Sequence, residues 1–577
     1  MIARLATHRR HARAARIATA LASALLASAL LACGVPTSAA AVARGDAPAR
    51  ATGPAVAALA TADGQTPPVL RVAINQLPSS WGNPFQADGT PNVYVWSAMF
   101  DGLTRLGADG VVGPGLALSW QALDERRWRF VLRPGVRFSN GEPFDADAVV
   151  ATFRWLATRE GRAMLMGARF RNVVAATATG PLEVELATAR PDPVLPQRLA
   201  TLAMVAPQAW ARLGVRGFAL RPEGTGPYRL VDWGQESRVA RLVANPGAFR
   251  RARLPRLEIY ELPETAARVQ ALVSGDVDLG MVGMDDTDIL AARGLRTALA
   301  PSMQVMSIGF VTHGRPASPL ADVRVRRALN LAVNKAPLAE VLLRGHAMPT
   351  GQPASRVTHG HDPSIEPYPY DPEAARRLLA EAGWPRGFRL RVDVVPNAMP
   401  SDTLIYQAVA ADLRRVGVEV DLRAVTFNEW LRQFVTGNWR ADAAGITWNS
   451  AAYNDVSRAM ENFSCLKPNP YFCEPSLTPL LEAAARTPEP QRGAILRELS
   501  RRFHALAPAL FLVEQLDLFA YRPEFAGVRL VGRVPAYEEI VPARRTAGSP
   551  APGGGRSQAR SSSASRDSGM PARQTAK

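Results

Sequence analysis

The 577-residue chain is long enough for three or four domains' worth of core at roughly 150 residues each. Its 47% hydrophobic and 21% charged residues are an ordinary globular balance, three cysteines exclude a disulfide scaffold, and scattered Gly and Pro exclude collagen and coiled coil. Of the +17 net charge, residues 1–33 hold +5 and residues 544–577 hold +6, which leaves +6 for the body, so the charge says little about the core's partner and no nucleic-acid partner is expected.

The N-terminus reads in three parts. Five arginines lie between Arg4 and Arg16, an apolar run spans Ile17–Ala32, and Cys33 follows. The run is short for a membrane span, and its basic flank and small residues predict an export signal, with an uncleaved anchor as the alternative. Leu30-Leu31-Ala32-Cys33 resembles a bacterial lipoprotein box, in which the cysteine becomes the acylated first residue. Leu31 departs from that pattern, and cleavage after Ala41 or Ala43 competes with it. Arg9-Arg10 is a poor match to twin-arginine export. Residues 34–67, rich in Ala, Pro, Gly and Thr, read as a flexible linker, and residues 546–577 as a disordered basic tail.

The body alternates strand and helix signals. Leu70–Ile74 reads as an opening strand. Trp128, Phe130 and Leu132 share one face of another, with Arg127, Arg129 and Arg133 opposite. Asp145 caps a helix whose stripe is Val149, Phe153 and Leu156. Asp371 and Pro372 open a helix that Gly383 and Pro385 close. A strand at Leu390–Val395, a helix over Leu404–Val416 and a strand through Val418, Val420 and Leu422 make a parallel unit with a right-handed crossover. The fold class is α/β with mixed sheets. There is no internal repeat of the kind that builds solenoids.

Export leaves Cys465 and Cys473 as partners across a loop with two prolines, so a disulfide is expected; a two-cysteine metal site is the weaker rival, with no third ligand nearby. The chain has no Walker loop, no His-Glu-x-x-His and no Gly-x-Ser-x-Gly. Glycines 107, 110, 113 and 115 read as turns. His359 and His361 flank one glycine without a third ligand, and Asp285/Asp286 read as solvated loop acids. No cofactor, metal or enzymatic activity is expected.

Several ordered segments resemble the family 5 extracellular solute-binding proteins, the dipeptide-, oligopeptide- and nickel-type receptors of bacterial ABC importers. They are Phe100-Asp-Gly-Leu-Thr-Arg105, Leu116-Ala-Leu-Ser-Trp120, Trp128–Gly141, and Pro143-Phe-Asp-Ala-Asp-Ala-Val-Val150. Gly224-Thr-Gly-Pro-Tyr228, Val325–Lys335, Tyr370-Asp-Pro-Glu-Ala-Ala375 and Ala382-Gly-Trp384 continue the match. The resemblance implies a two-lobed periplasmic-binding-protein fold of type II. Lobe I would take residues 68–308 and 506–545, lobe II residues 309–505, with a solute clamped between them by hinge closure. Residues such as Gly224 and Gly226 read structurally, as permitting close backbone approach before Tyr228.

The resemblance places Trp448-Asn-Ser-Ala-Ala-Tyr-Asn-Asp455 nearest the cleft. Peptide binders carry there an Asp for the ligand ammonium; this chain has Ala451. Dipeptide binders also offer an Arg near Val395–Ser401, where this chain has none. The candidate ligand set is therefore Trp448, Asn449, Ser450, Tyr453, Asn454 and Asp455, with Asp455 replacing the missing acid. Trp81 and Asn83 join from a strand-end loop of lobe I. The competing readings are that Trp448 packs the core, Asp455 caps the following helix, and Trp81 belongs to a turn. The expected function is a periplasmic, monomeric receptor, lipid-anchored if Cys33 is acylated. It captures a peptide-like or other polar solute for a permease and its ATPase subunits. A secreted α/β hydrolase with an unrecognised site and a sensory module are the alternatives.

Overall fold

The computed structural model describes residues 68–543, apart from 88, 235, 397, 400 and 452. The signal, linker, Cys33 and tail expectations lie outside the described residues. Ten strands form the largest sheet. In spatial order they are Glu419–Ala424, Arg389–Val394, Ala443–Asn449, Arg296–Phe310, Ala509–Tyr521, Leu279–Met281, Val69–Ile74, Arg256–Glu261, Val239–Ala244 and Tyr228–Asp232. Strand direction is mixed: Val69–Ile74 runs parallel to Arg256–Glu261, with Val72 opposite Ile259, and Arg256–Glu261 is antiparallel to Val239–Ala244.

The predicted strand–helix–strand unit is present. Arg389–Val394 pairs parallel with Glu419–Ala424, Val392 opposite Leu422, and the helix Asp402–Arg414 makes the crossover. Its apolar residues Ile405, Val409 and Leu413 bury at a spacing of four, which puts them on one helical face. The helix expected after Asp371 spans Pro372–Glu381, and the Asp371 carboxylate accepts from the Ala374 N–H at 2.8 Å. Asp145 caps Ala146–Leu156 in the same way, on the Ala148 N–H at 3.0 Å.

Two long strands, Arg296–Phe310 and Ala509–Tyr521, lie side by side at the middle of the sheet, antiparallel, with Ala298 opposite Phe519 and Ile308 opposite Leu510. The second half of the first and nearly all of the second are buried, as expected of central strands covered on both faces. One apolar cluster, from Leu70 to Ile259 with Phe519–Ile540, defines lobe I. A second is built on Val305, Trp448, Phe463 and Phe503, and a third gathers Leu329, Leu379, Val392, Ile405 and Leu413 with Leu512 and Leu518. The expected limits at 308/309 and 505/506 fall inside the first long strand and just before the second.

A four-stranded antiparallel sheet in lobe I orders Ala117–Ala122, Arg127–Leu132, Glu183–Thr188 and Val173–Gly180. Phe130 and Leu132 are buried, while Arg129 turns outward to Glu185 at 2.7 Å, the alternation expected of a one-sided strand. The Gly-Thr-Gly-Pro-Tyr segment packs against the end of the helix Val93–Met99. The Gly226 N–H donates to the Met99 carbonyl at 2.9 Å. A Cβ would stand 2.1 Å from Met99 O at Gly224 and 2.4 Å from Met99 C at Gly226, so only glycine fits.

Cys465 and Cys473 are bonded, with Cα atoms 4.6 Å apart, which replaces the rival metal reading of this pair. The Lys467 ammonium inside the loop donates to the Phe434 carbonyl at 2.6 Å and sits 3.8 Å from the centre of the Phe434 ring, which ties the loop to lobe II. Closing so short a loop stabilises by about 2–3 kcal/mol in the chain-entropy account. Urea denaturation with and without reductant should differ by that amount; coincident curves would show that the bond contributes nothing. Among the described residues no helix is long and apolar enough to cross a membrane.

Candidate solute-binding cleft

The strand Ala443–Asn449 carries Trp448 into the interior. Its ring is fully buried, stacked on Phe463 with centroids 3.5 Å apart and edge-on to Phe503 at 5.5 Å. The Trp448 ring thus packs the core, the competing reading of this residue, as a strand that alternates under a covered face favours.

Asp455 is likewise tied into the fold. It is the N-cap of the helix Val456–Asn462, accepting from the Ser457 N–H at 3.0 Å. It is fully buried and pairs with the Arg492 guanidinium through both carboxylate oxygens, one at 2.9 Å, while His359 Nδ1 lies 3.0 Å away. Burial alone would push this carboxyl up. Hydrogen bonds from His359, Arg492 and Ser457, with the charge of Arg492, outweigh it and hold the group well below the usual carboxylate range. No oxygen remains for a solute ammonium.

Asn454 is buried at φ +49, and its amide donates to the Gly110 carbonyl at 2.6 Å and the Val357 carbonyl at 2.9 Å. That bond joins lobe II to a lobe I turn. Ser450 is buried with its N–H on Met303 O at 2.9 Å, and Tyr453 is half-buried, its phenol pushed up by burial. In lobe I, Asn83 is a buried turn residue whose Oδ1 accepts from Phe85 N at 3.1 Å. Trp81 lies edge-on to Trp233 at 5.4 Å, and its carbonyl accepts from Trp96 Nε1 at 2.7 Å. Of the eight expected residues, Asn449 alone lines the cleft cavity described next.

That cavity is about 400 Å³ and takes its walls from both lobes. Lobe I supplies the helix Val93–Met99 with Trp96 and Ser97, then Phe100, Asp101 and Arg105, and the hairpin Val531–Pro535. Lobe II supplies Asn449, Ala451 and Arg458. Ala451, where peptide binders carry an acid, does face the cleft.

An ion-pair network holds the lobe I wall. Thr225 Oγ1 donates to Asp101 at 2.9 Å; Arg250 Nε donates to Asp101 at 2.7 Å and Nη1 to Glu538 at 2.8 Å; Arg105 reaches Glu538 at 3.2 Å. Arg250, with a side chain only 9% exposed, also donates to the Ser97 carbonyl at 3.0 Å. Burial opposes the charge on Arg250, and Asp101 and Glu538 outweigh it, so its pKa is raised. Glu538 is lowered in turn, by Arg250 and Arg105 against burial. None of these charged residues was an expected ligand contact. Asp101 and Arg105 lie in the Phe100–Arg105 motif, which was the available signal; Arg250 and Glu538 sit in segments without one.

Comparison with known proteins follows the same lines. Residues 111–469 match the family described as Bacterial extracellular solute-binding proteins, family 5 Middle. The "Nickel-binding periplasmic protein" of Escherichia coli is 31% identical over 366 residues, 58% of this chain and 67% of the relative. The "Glutathione-binding protein GsiB" of Salmonella paratyphi A is 26% identical over 386 residues, 63% of this chain and 74% of the relative. Among solved structures, the substrate-binding protein CtaP from Listeria monocytogenes superposes with a TM-score of 0.74 at 18% identity, covering 82% of this chain and 99% of that one, a likeness of fold. The two lobes, the cavity between them and the match over most of the body lead to one conclusion: this chain belongs to the family 5 extracellular solute-binding proteins, the receptors of bacterial ABC importers, and it works by binding a solute, without transforming it.

Proposed function

We propose that the protein is a periplasmic receptor that captures a small peptide-like or other polar solute between its lobes and hands it to a membrane permease driven by ATPase subunits. The observation that carries this is the cavity of about 400 Å³ lined from both lobes. Its size falls among small-molecule sites, roughly 300–1,000 Å³, and suits a solute nearer two or three residues than a long peptide. Aromatic Trp96 and Phe100 supply apolar wall, and hydroxyls and guanidiniums supply direction. A solute touching both walls has differential affinity for the closed arrangement, and only such a solute shifts the lobes toward it. Relatives named for glutathione and nickel are consistent with a small polar cargo. The receptor acts as a monomer, exported by its N-terminal segment, and Cys33 is either the acylated first residue or removed with the signal.

Equilibrium dialysis of the purified protein against a bacterial small-molecule extract, with mass spectrometry of what is retained, tests the reading. Retained solutes and a smaller radius of gyration on binding are expected. Repeated failure to retain any small molecule would count against it. The mass of the mature N-terminus decides between acylation at Cys33 and cleavage after Ala41 or Ala43.

A further inference from the structure

The cleft holds four guanidiniums, and three are already matched. Arg105 meets Glu538, Arg250 meets Asp101 and Glu538, and Arg533 meets Asp517 at 3.0 Å. Among the described residues the two acids that line the cavity, Asp101 and Glu538, are used in these pairs. Arg458 is different. It projects from the lobe II helix Val456–Asn462 into the cavity wall, half-buried, and donates to the Asn449 carbonyl. Among the described residues no carboxylate lies within ion-pair distance of it; Glu461, three residues on along the same helix, makes no ion pair with it, though its charge partly offsets the burial of Arg458. Burial lowers its pKa, and its charge is felt by Arg169 of lobe I, pushed down to about 10 by burial and then by Arg458. On the lobe I wall, the buried Ser97 hydroxyl has no hydrogen-bond partner. Among the described residues the cavity therefore carries one guanidinium that no acid meets in an ion pair, and each described acid of its lining is already paired.

Resting on the receptor reading above, we infer that the solute is a carboxylate-bearing, net-anionic molecule without a free ammonium, anchored by Arg458 as its specificity-determining contact. A buried guanidinium and a carboxylate form a charge-assisted pair, stronger than a neutral hydrogen bond, and Arg presents two N–H groups in the geometry a carboxylate accepts. An ammonium would meet the Ala451 methyl and a surplus of positive charge, so the same cleft discriminates against cationic and zwitterionic peptides.

The test uses N-acetylated di- and tripeptides as free acids, the same peptides as C-terminal amides, and the free-amine peptides, titrated calorimetrically into wild type, Arg458→Gln and Arg458→Lys. On wild type the acetylated acids should bind at least about tenfold more tightly than their amides and the free-amine forms. Arg458→Gln should erase the preference for acid over amide, and Arg458→Lys should keep part of it. Equal binding of acids and amides by wild type, or an undiminished preference in Arg458→Gln, would overturn the assignment. If no acid in the panel binds, the carboxylate class is overturned, whereas the receptor reading stands or falls separately on extract capture. The urea midpoints of the empty variants show whether each is folded.

Discussion

Asp455→Ala is expected to lower the stability of the empty protein by about 3–5 kcal/mol, because it strands Arg492 as a buried cation whose side chain is 2% exposed. The carboxylate makes three kinds of contact at once: the cap on Ser457 N–H, the two-point pair with Arg492 and the approach of His359. Removing it leaves Arg492 with its bonds to the Ala484 carbonyl and the Ser457 hydroxyl and a weak ion pair to the exposed Glu489 at 3.7 Å. The loss of the cap alone accounts for about 1 kcal/mol. The double variant Asp455→Ser with Arg492→Met keeps a capping oxygen and removes both charges, so it should lose less than Asp455→Ala by itself. The pH dependence has a definite sign. The folded carboxyl titrates below its unfolded value of about 4, so its contribution is complete above that value and is lost as pH falls through the lower, folded one. The gap between wild type and Asp455→Ala should therefore shrink as pH falls below about 4. Urea denaturation at neutral and acid pH measures both effects. An unchanged midpoint together with weakened solute binding would return Asp455 to the cleft.

The contrast between what was legible in the sequence and what was not follows from the range of the interactions. The helix after Asp371 could be read because its cap, first-turn proline and terminal glycine lie within thirteen positions, and the structure uses them locally. The same holds for the one-sided strand at Trp128–Leu132 and the crossover from Arg389 to Ala424. The cleft obeys no such local rule. The segment Trp448–Asp455 comes to the cleft only through the family resemblance, and Trp81 and Asn83 through the rule that strand ends host ligands in α/β folds. The strand end does open on the cavity, at Asn449 and Ala451. Beyond them the chain turns through Asn454 at φ +49 and re-enters the core, so the polar residues that looked available serve the fold. Charges that do line the cavity meet across 149 and 288 positions, Asp101 and Glu538 both on Arg250. A run of sequence carries no periodicity that could announce such a meeting, and Arg458 reads there as one more arginine on a short helix.

Arg250→Met should be the most damaging change in lobe I, at about 3–5 kcal/mol, and should also abolish tight solute binding. Methionine fills much of the arginine's volume but leaves Asp101 as an uncompensated acid at the wall of the cavity, with only the Thr225 hydroxyl as partner, while Glu538 keeps Arg105. Two consequences follow from the geometry. The Arg250 guanidinium fixes the Ser97 carbonyl and, through Asp101, the segment after Met99, so the helix Val93–Met99 loses the tie that sets its distance from Arg458. At the same time the cavity acquires unmatched negative charge, which repels the anionic solute inferred above. Displacement of the wall weakens every solute, whereas repulsion weakens acids selectively. Titrating acetylated acids and amides into Arg250→Met, and comparing with Asp101→Asn/Arg250→Met, which removes the acid left without a cation, separates the two. Recovery of acid binding in the double variant assigns the loss to charge, and equal loss of both ligand types assigns it to the wall. Wild-type affinity in a folded Arg250→Met would mean that this network supports lobe I without setting the cleft, and that the solute sits elsewhere.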